Sequence, residues 1–275
     1  ASSIQRLREK WQDEFVAWKT TRLDQLDVVY AWADGLYVKA GLEDAKAALL
    51  VIVGALKDGR KVVLAVESGQ RESSEAWARI LRDLRERGLK PWKATVADGH
   101  LGIWGALRTV ALSDAELRCW NHKIVNVLDH FPLKLQAEAK ALLRVMPYAK
   151  TQAECERLRD EFGARYRKFY PKAVQTLGRD WERMVAFYAF PSAHWIHLRT
   201  TNIVESPFAA VRLRTSAAKR FKKVESAEAL IWKLLMLAER TFRRLNGPRL
   251  MKEVYAGKKF VDGVAVKPAP RRLAA

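Results

Sequence analysis

The chain has 275 residues, enough for one or two buried cores, and 49% of them are hydrophobic, which excludes a disordered polymer. Lys and Arg number 50 against 31 Asp and Glu, a net charge of +19, so the expected partner is a polyanion, with nucleic acid ahead of a membrane surface or ribosome. No apolar run reaches the roughly 18 residues of a membrane span, no signal peptide is visible, and the two cysteines, Cys119 and Cys155, are too few for a disulfide framework, so a cytoplasmic protein is expected.

Ile4, Leu7, Trp11, Phe15 and Trp18 recur at helical spacing and predict a basic connecting helix within residues 1–26. From Val28 the pattern becomes β-branched and aromatic. VVYAWADGLYVKA, ALLVIVGAL (48–56) and KVVLAVESG (61–69) read as three consecutive antiparallel strands, with Lys57-Asp58-Gly59-Arg60 as a hairpin turn. Ser73 or Ser74 caps a helix that Gly88 ends. ATVADG is a short buried strand stopping at Asp98-Gly99, HLGIWGALRTV a helix, and ELRCW a further strand.

Beyond His122 the period is helical. Residues 123–197 form an all-helical block, with a capping box at Thr151 and Glu154 and a helix running from Pro171 to Phe190. Residues 198–247 hold the focal stretch LRTTNIVESPFAAVRLRT and a last helix capped by Ser226 and closed by Gly247-Pro248. Residues 248–275 read as a basic, frayed tail. The fold class is α/β: a mixed sheet flanked by helices, with a helical insertion.

Glu205 is a single acid in a run that is otherwise basic or apolar. Asp34 lies inside the first strand and Asp98 ends the fourth, each before a glycine that lets a ligand or a backbone approach. Neighbouring strand ends would set the two aspartates side by side. Carboxylates at close range repel unless a cation neutralises them. Mg²⁺ suits hard oxygen ligands, with Mn²⁺ as a substitute, and a pair of such ions serves phosphodiester displacement. The rival reading makes each Asp-Gly a turn and Asn202-x-x-Glu205 a capping box; Ser206-Pro207 is an alternative helix start. A start at Asn202 would put Asn202, Glu205, Ala209 and Arg212 on one face and Val204, Phe208 and Val211 on the core face. Arg199, Arg212, Arg214, Lys219 and Arg220 surround the acid, and Lys222 and Lys223 extend the basic group. Arg240, Arg243 and Arg244 end the last helix, Lys39 is a further candidate for phosphate, and Trp195 for stacking on an unpaired base.

WADGLYVKAGLED, TVADGHLGIW, CWNHKIVNVL, FPSAHWIHLRTTNIVESPFAAVRLRT and RRLNG occur in one order between about Val28 and Gly263. In these motifs the chain resembles the bacterial insertion-sequence transposases of the Mutator-like group. The resemblance implies an RNase H-like catalytic domain holding a DDE metal triad, with a helical insertion between the second Asp and the Glu. Carried over by position, Asp34, Asp98 and Glu205 are the triad, and Cys119-x-x-His122 falls on the family's C-x-x-H signature. It further implies Mg²⁺-dependent DNA cleavage and strand transfer at element ends, action on target DNA in the bacterial nucleoid, and a homodimer or higher oligomer. Only 27 residues precede Val28, so the N-terminal region that reads terminal repeats is expected to be absent. Zinc at Cys119 and His122 is disfavoured, because no second such pair exists; packing beside the site, with His122 near the scissile phosphate, is expected instead. Two other classes stand beside this one: a structure-selective nuclease that cuts without joining, and a non-enzymatic basic DNA-binding protein.

Overall fold

The computed structural model describes residues 3–39, 46–69, 73–99, 101–217 and 224–267. Helix α1 (Ser3–Lys19) leads into strand β1 (Val28–Lys39), which continues antiparallel into β2 (Lys46–Leu56) and β3 (Lys61–Gly69). Then come α2 (Ser74–Glu86), β4 (Ala94–Ala97), α3 (Leu101–Val110) and β5 (Glu116–Arg118). The five strands lie in the order β3-β2-β1-β4-β5, with β4 parallel to β1 and β5 parallel to β4. The turn between β2 and β3 forms as the sequence predicts: Gly59 takes φ +82°, and the Asp58 carboxylate accepts the Arg60 amide at 2.9 Å. Ser73, not Ser74, caps α2, accepting the Ala76 amide at 3.2 Å.

Both faces of the sheet are covered. Strand alternation sorts β1 cleanly. Ala31 and Ala33 face α2 and α3, in a core with Trp77, Leu81 and Trp104. Tyr30, Trp32, Leu36 and Val38 face the opposite core, with Val204, Phe208 and Trp232. Asp34 has the same parity as Trp32 and Leu36, so it falls on that second face. Its burial there is what its position inside a strand requires.

Helices α4 (Trp120–Leu128), α5 (Leu133–Val145), α6 (Gln152–Tyr166), α7 (Pro171–Gly178), α8 (Trp181–Val185) and α9 (Trp195–Leu198) follow, then α10 (Asn202–Ala217) and α11 (Val224–Glu239). The helix predicted from Pro171 to Phe190 is divided. Asp180 turns left-handed at φ +60°, held there by ion pairs with Arg118 and Arg183, the latter at 2.9 Å. Lys123, fully buried beneath it, donates to the Thr176 and Arg179 carbonyls at 2.8 and 2.6 Å, and its burial pushes its pKa down to about 7. These bonds fasten the helical block to the end of β5.

Helix α11 also differs from expectation. It begins before Ser226 and ends at Glu239, so Arg240, Arg243 and Arg244 lie beyond it. The chain leaves the helix because Leu245 is drawn to the sheet, where it is buried and its amide bonds the Gly59 carbonyl at 3.0 Å. Where the sequence predicts a frayed tail, its described residues, 248–267, carry a helix and a hairpin. Helix α12 (Pro248–Tyr255) buries Met251 and Val254, and the Tyr255 hydroxyl donates to Asp27 at 2.7 Å. Strands β6 (Phe260–Val261) and β7 (Val264–Ala265) make a hairpin whose Gly263 amide bonds the Tyr188 carbonyl at 3.1 Å.

Helix α10 is set on β1 and β2 by Val204, Phe208 and Val211, all buried. Phe208→Ala would leave a cavity under this helix and should cost about 3–5 kcal/mol of stability, read by urea denaturation; a loss under 1 kcal/mol would mean that the helix does not depend on this contact.

Candidate active site

Asp34 is only 8% exposed. Its pKa is pushed up to about 7, first by burial, then by the negative charges of Glu205 and Asp98; His122 opposes this, and the Gly35 amide helps to hold the carboxylate. The four side chains therefore share one electrostatic neighbourhood, although 171 residues separate Asp34 from Glu205 (205 − 34 = 171). Sheet register explains half of this. Ala33 pairs with Ala97 across β1 and β4, so Asp34 and Asp98 follow at the same level of adjacent parallel strands.

The other half comes from Cys119 and Thr201. Cys119 N-caps α4, and its amide bonds the Ala97 carbonyl at 2.8 Å, next to Asp98. Its sulfur accepts the Thr201 amide at 3.4 Å and lies 3.2 Å from the Thr201 hydroxyl. The Trp120 amide bonds the Arg199 carbonyl at 2.9 Å. The chain thus returns, after the helical block, to the point where it left the sheet. Thr201, fully buried, precedes the first turn of α10: its carbonyl takes the Val204 and Glu205 amides, and its hydroxyl donates to the Glu205 carboxylate.

Asn202 is consequently the first helical residue and not the cap, and the predicted capping box does not form; the Asn202 side chain accepts from Asn121 at 3.2 Å instead. The face assignment for a start at Asn202 holds, with Asn202, Ala209 and Arg212 exposed and Glu205 half-buried. Pro207 sits inside the helix and removes one backbone donor. Thr201 is not among the residues the sequence singles out, although Thr directly before Asn202 has the composition of an N-cap.

His122, one turn into α4, places Nδ1 4.0 Å from the Glu205 carboxylate and 3.5 Å from the Thr201 hydroxyl. Its pKa is raised to about 9, first by its hydrogen bond with Cys119 and then by the charges of Asp34 and Glu205, so the ring is a cation at neutral pH. Both cysteines are buried and free.

The basic residues divide. Arg212 and Arg214 are exposed on α10, beyond Glu205. Arg199 is not among them. Its guanidinium packs over Tyr148, Phe187 and Trp195, 4.7, 5.3 and 5.6 Å from the ring centroids, and belongs to the core of the helical block. Trp195 is likewise core, its indole N–H donating to the Phe190 carbonyl at 2.8 Å, so it offers no stacking surface. Lys219, Arg220, Lys222 and Lys223, and the side chain of Lys39, lie outside the described residues.

The profile described as "Transposase, Mutator family" matches residues 1–244. The chain belongs to this family. The match takes in α1, ahead of the motifs from Val28 onward. The chain is similar to the transposase for insertion sequence element IS6120 of Mycolicibacterium smegmatis, at 40% identity over 96% of this chain and 81% of that protein. It is also similar to the transposase for insertion sequence element IST2 of Acidithiobacillus ferrooxidans, at 37% identity over 94% of this chain and 88% of the relative. A more distant relative is the transposase for IS256 in transposon Tn4001 of Staphylococcus aureus, at 24% identity over 86% of this chain and 61% of that protein.

In this member of the Mutator family the raised Asp34 and His122 values carry the same sign for stability. Folding raises Asp34 from 3.8 to about 7, so the folded state holds a proton that the unfolded state has released, and stability falls as pH rises across that interval. Folding raises His122 from 6.5 to about 9, so its contribution is complete below 6.5 and lost through 9. His197 and Lys123, whose pKa values folding lowers to about 4 and about 7, act in the opposite sense over the same range, so the test is the difference from wild type: without added cations, Asp34→Asn should remove a falling contribution between about pH 4 and 7, and His122→Asn one between about pH 6.5 and 9. Urea titrations across this range test it, and a slope unchanged by either substitution would contradict the assignment.

Proposed function

We propose that this chain is the catalytic part of a DNA transposase, cleaving strands at insertion-element ends and joining them to a target. Asp34, Asp98 and Glu205 are its metal ligands, on an RNase H-like sheet interrupted by the helices between β5 and α10. The observation that carries this reading is Asp34: a nearly buried carboxylate within electrostatic reach of two further acids, contributed by β1, the end of β4 and the first turn of α10. An excess of carboxylate oxygen at one place is the donor set that Mg²⁺ or Mn²⁺ prefers. When bound, such ions activate the attacking oxygen and stabilise the leaving one in phosphodiester displacement.

The chain's own residues do the rest. Burial fixes Asp34, and sheet register fixes Asp98 beside it. Thr201 orients the Glu205 carboxylate through its hydroxyl. Protonated His122 supplies a positive hydrogen-bond donor beside Glu205, which would serve a non-bridging phosphate oxygen. Asn202, Arg212 and Arg214 lie exposed along the same helix and would hold the backbone of the DNA, with Lys219 and Arg220 continuing the basic run. Water and a 3′-hydroxyl can serve in turn as attacking oxygen at one such site. Joining two element ends calls for at least two copies of the chain.

Asp34→Asn, Asp98→Asn and Glu205→Gln should each lower Mn²⁺-dependent nicking and joining of element-end DNA by more than the roughly 10–100-fold that loss of a second-shell partner costs. DNA binding should persist in all three variants. Full activity in any one removes that residue from the site, and nicked product without joined product would assign a nuclease. Arg212→Ala and Arg214→Ala should weaken binding alike for all sequences and flatten its salt dependence by about one unit of slope each; filter binding across a salt series measures this.

A further inference from the structure

The C-x-x-H signature finds no zinc partner in the sequence because its third ligand lies 83 residues beyond His122 (205 − 122 = 83). Cys119 Sγ, a ring nitrogen of His122 and a carboxylate oxygen of Glu205 all lie within 4.8 Å of one another, and no other trio of Cys, His, Asp or Glu among the described residues gathers as closely. This donor set differs in kind from three carboxylates. A sulfur and an imidazole nitrogen favour borderline-soft ions of the zinc class, where all-oxygen sites favour Mg²⁺. Three protein ligands with one open position is a recurring zinc arrangement.

We propose that Cys119, His122 and Glu205 form a second cation site, selective for zinc-class ions and sharing Glu205 with the acids of the proposed active site.

The surroundings of the trio suit this role. The Cys119 sulfur accepts the Thr201 amide, and its residue caps the N-terminus of α4 with no side-chain cap bond of its own. The Thr201 hydroxyl touches all three ligand residues and orients them as a second shell. The His122 and Glu205 side chains are 37% and 31% exposed, so an ion approaches from their side, and water completes its shell there. On binding, Cys119 gives up its thiol proton and His122 its extra ring proton to solvent, and no redox step is involved. Glu205 then belongs to either site, so a zinc-class ion opposes Mg²⁺. Only this opposition rests on the proposed function; the binding itself does not.

The test is titration of the full chain with Cd²⁺, followed by thiolate-to-metal absorption in the near ultraviolet and by thermal melting. Wild type should bind one equivalent with the absorption band and an increase in melting temperature. Cys119→Ser should lose both, and Cys155→Ser should keep both. His122→Asn and Glu205→Gln should weaken Cd²⁺ binding by at least about 10-fold. Asp34→Asn should retain the band while losing Mn²⁺ binding, which separates this site from the acid triad: full cleavage by Asp34→Asn would sink the triad and leave the band untouched. No band in wild type, a band that survives Cys119→Ser, or undiminished Cd²⁺ affinity in Glu205→Gln overturns the proposal. Glu205→Gln is isosteric at a half-exposed position, so it decides between these outcomes even if Cys119→Ser fails to fold.

Discussion

One junction governs this molecule. Cys119, where the chain leaves the sheet, accepts a hydrogen bond from Thr201, where the chain enters α10. The same Cys119 is tied through its amide to the end of β4. All three anchor points are buried, so these bonds face no competition from water. The helical block between them closes a long loop, and its ends meet because Trp120 and Arg199 are bonded through their backbones. Glu205 stands one turn from that closure. Its distance from Asp34 and Asp98 is therefore set by the junction and not by the length of the intervening chain.

Around the junction the charge distribution runs against that of the whole chain. A protein of net charge +19 sets Glu205 and Asp98 within electrostatic reach of the buried Asp34. Burial is the first cause of the raised Asp34 value, and the charges of Glu205 and Asp98 add to it. His122 relieves part of the repulsion, as one cation set against several carboxylates. The proposed function explains why such an arrangement is kept. On that proposal, the acids would be poised for a divalent ion and the basic exterior would draw the polyanion over them. The aromatic packing of the helical block serves the same end by a different route. Arg199, caged by three rings, and Lys123, bonded to two carbonyls, are cations consumed by structure, which leaves the α10 arginines facing outward.

Much of the fold is legible in the sequence. The strands of the sheet carry β-branched and aromatic runs that local sterics favour, and Asp58-Gly59 marks its hairpin. Val204, Phe208 and Val211 are legible as a core face because their spacing matches the helical period. Elements decided by distant partners are not. The break at Asp180 depends on Arg118, 62 residues earlier. The end of α11 depends on the pull of Leu245 toward Gly59, and the order of the tail on Tyr188 and Asp27. Arg199 and Trp195 look like surface groups because basic and aromatic residues have no periodicity that betrays a cage built from three separate segments.

The sequence by itself determined the five strands of the sheet, most of the helices and the basic character of the chain, and it singled out three candidate acids, since these follow from local periodicity, composition and motif order. Only the tertiary structure decided that Asp34, Asp98, Glu205 and His122 share one field, that the helix of Glu205 starts at Asn202 after Thr201, whose carbonyl accepts the Glu205 amide, and that the Cys119–His122 pair has a third companion. Those facts rest on sheet register and on the closure of a long loop, and both are set by long-range contacts that no local window of sequence contains.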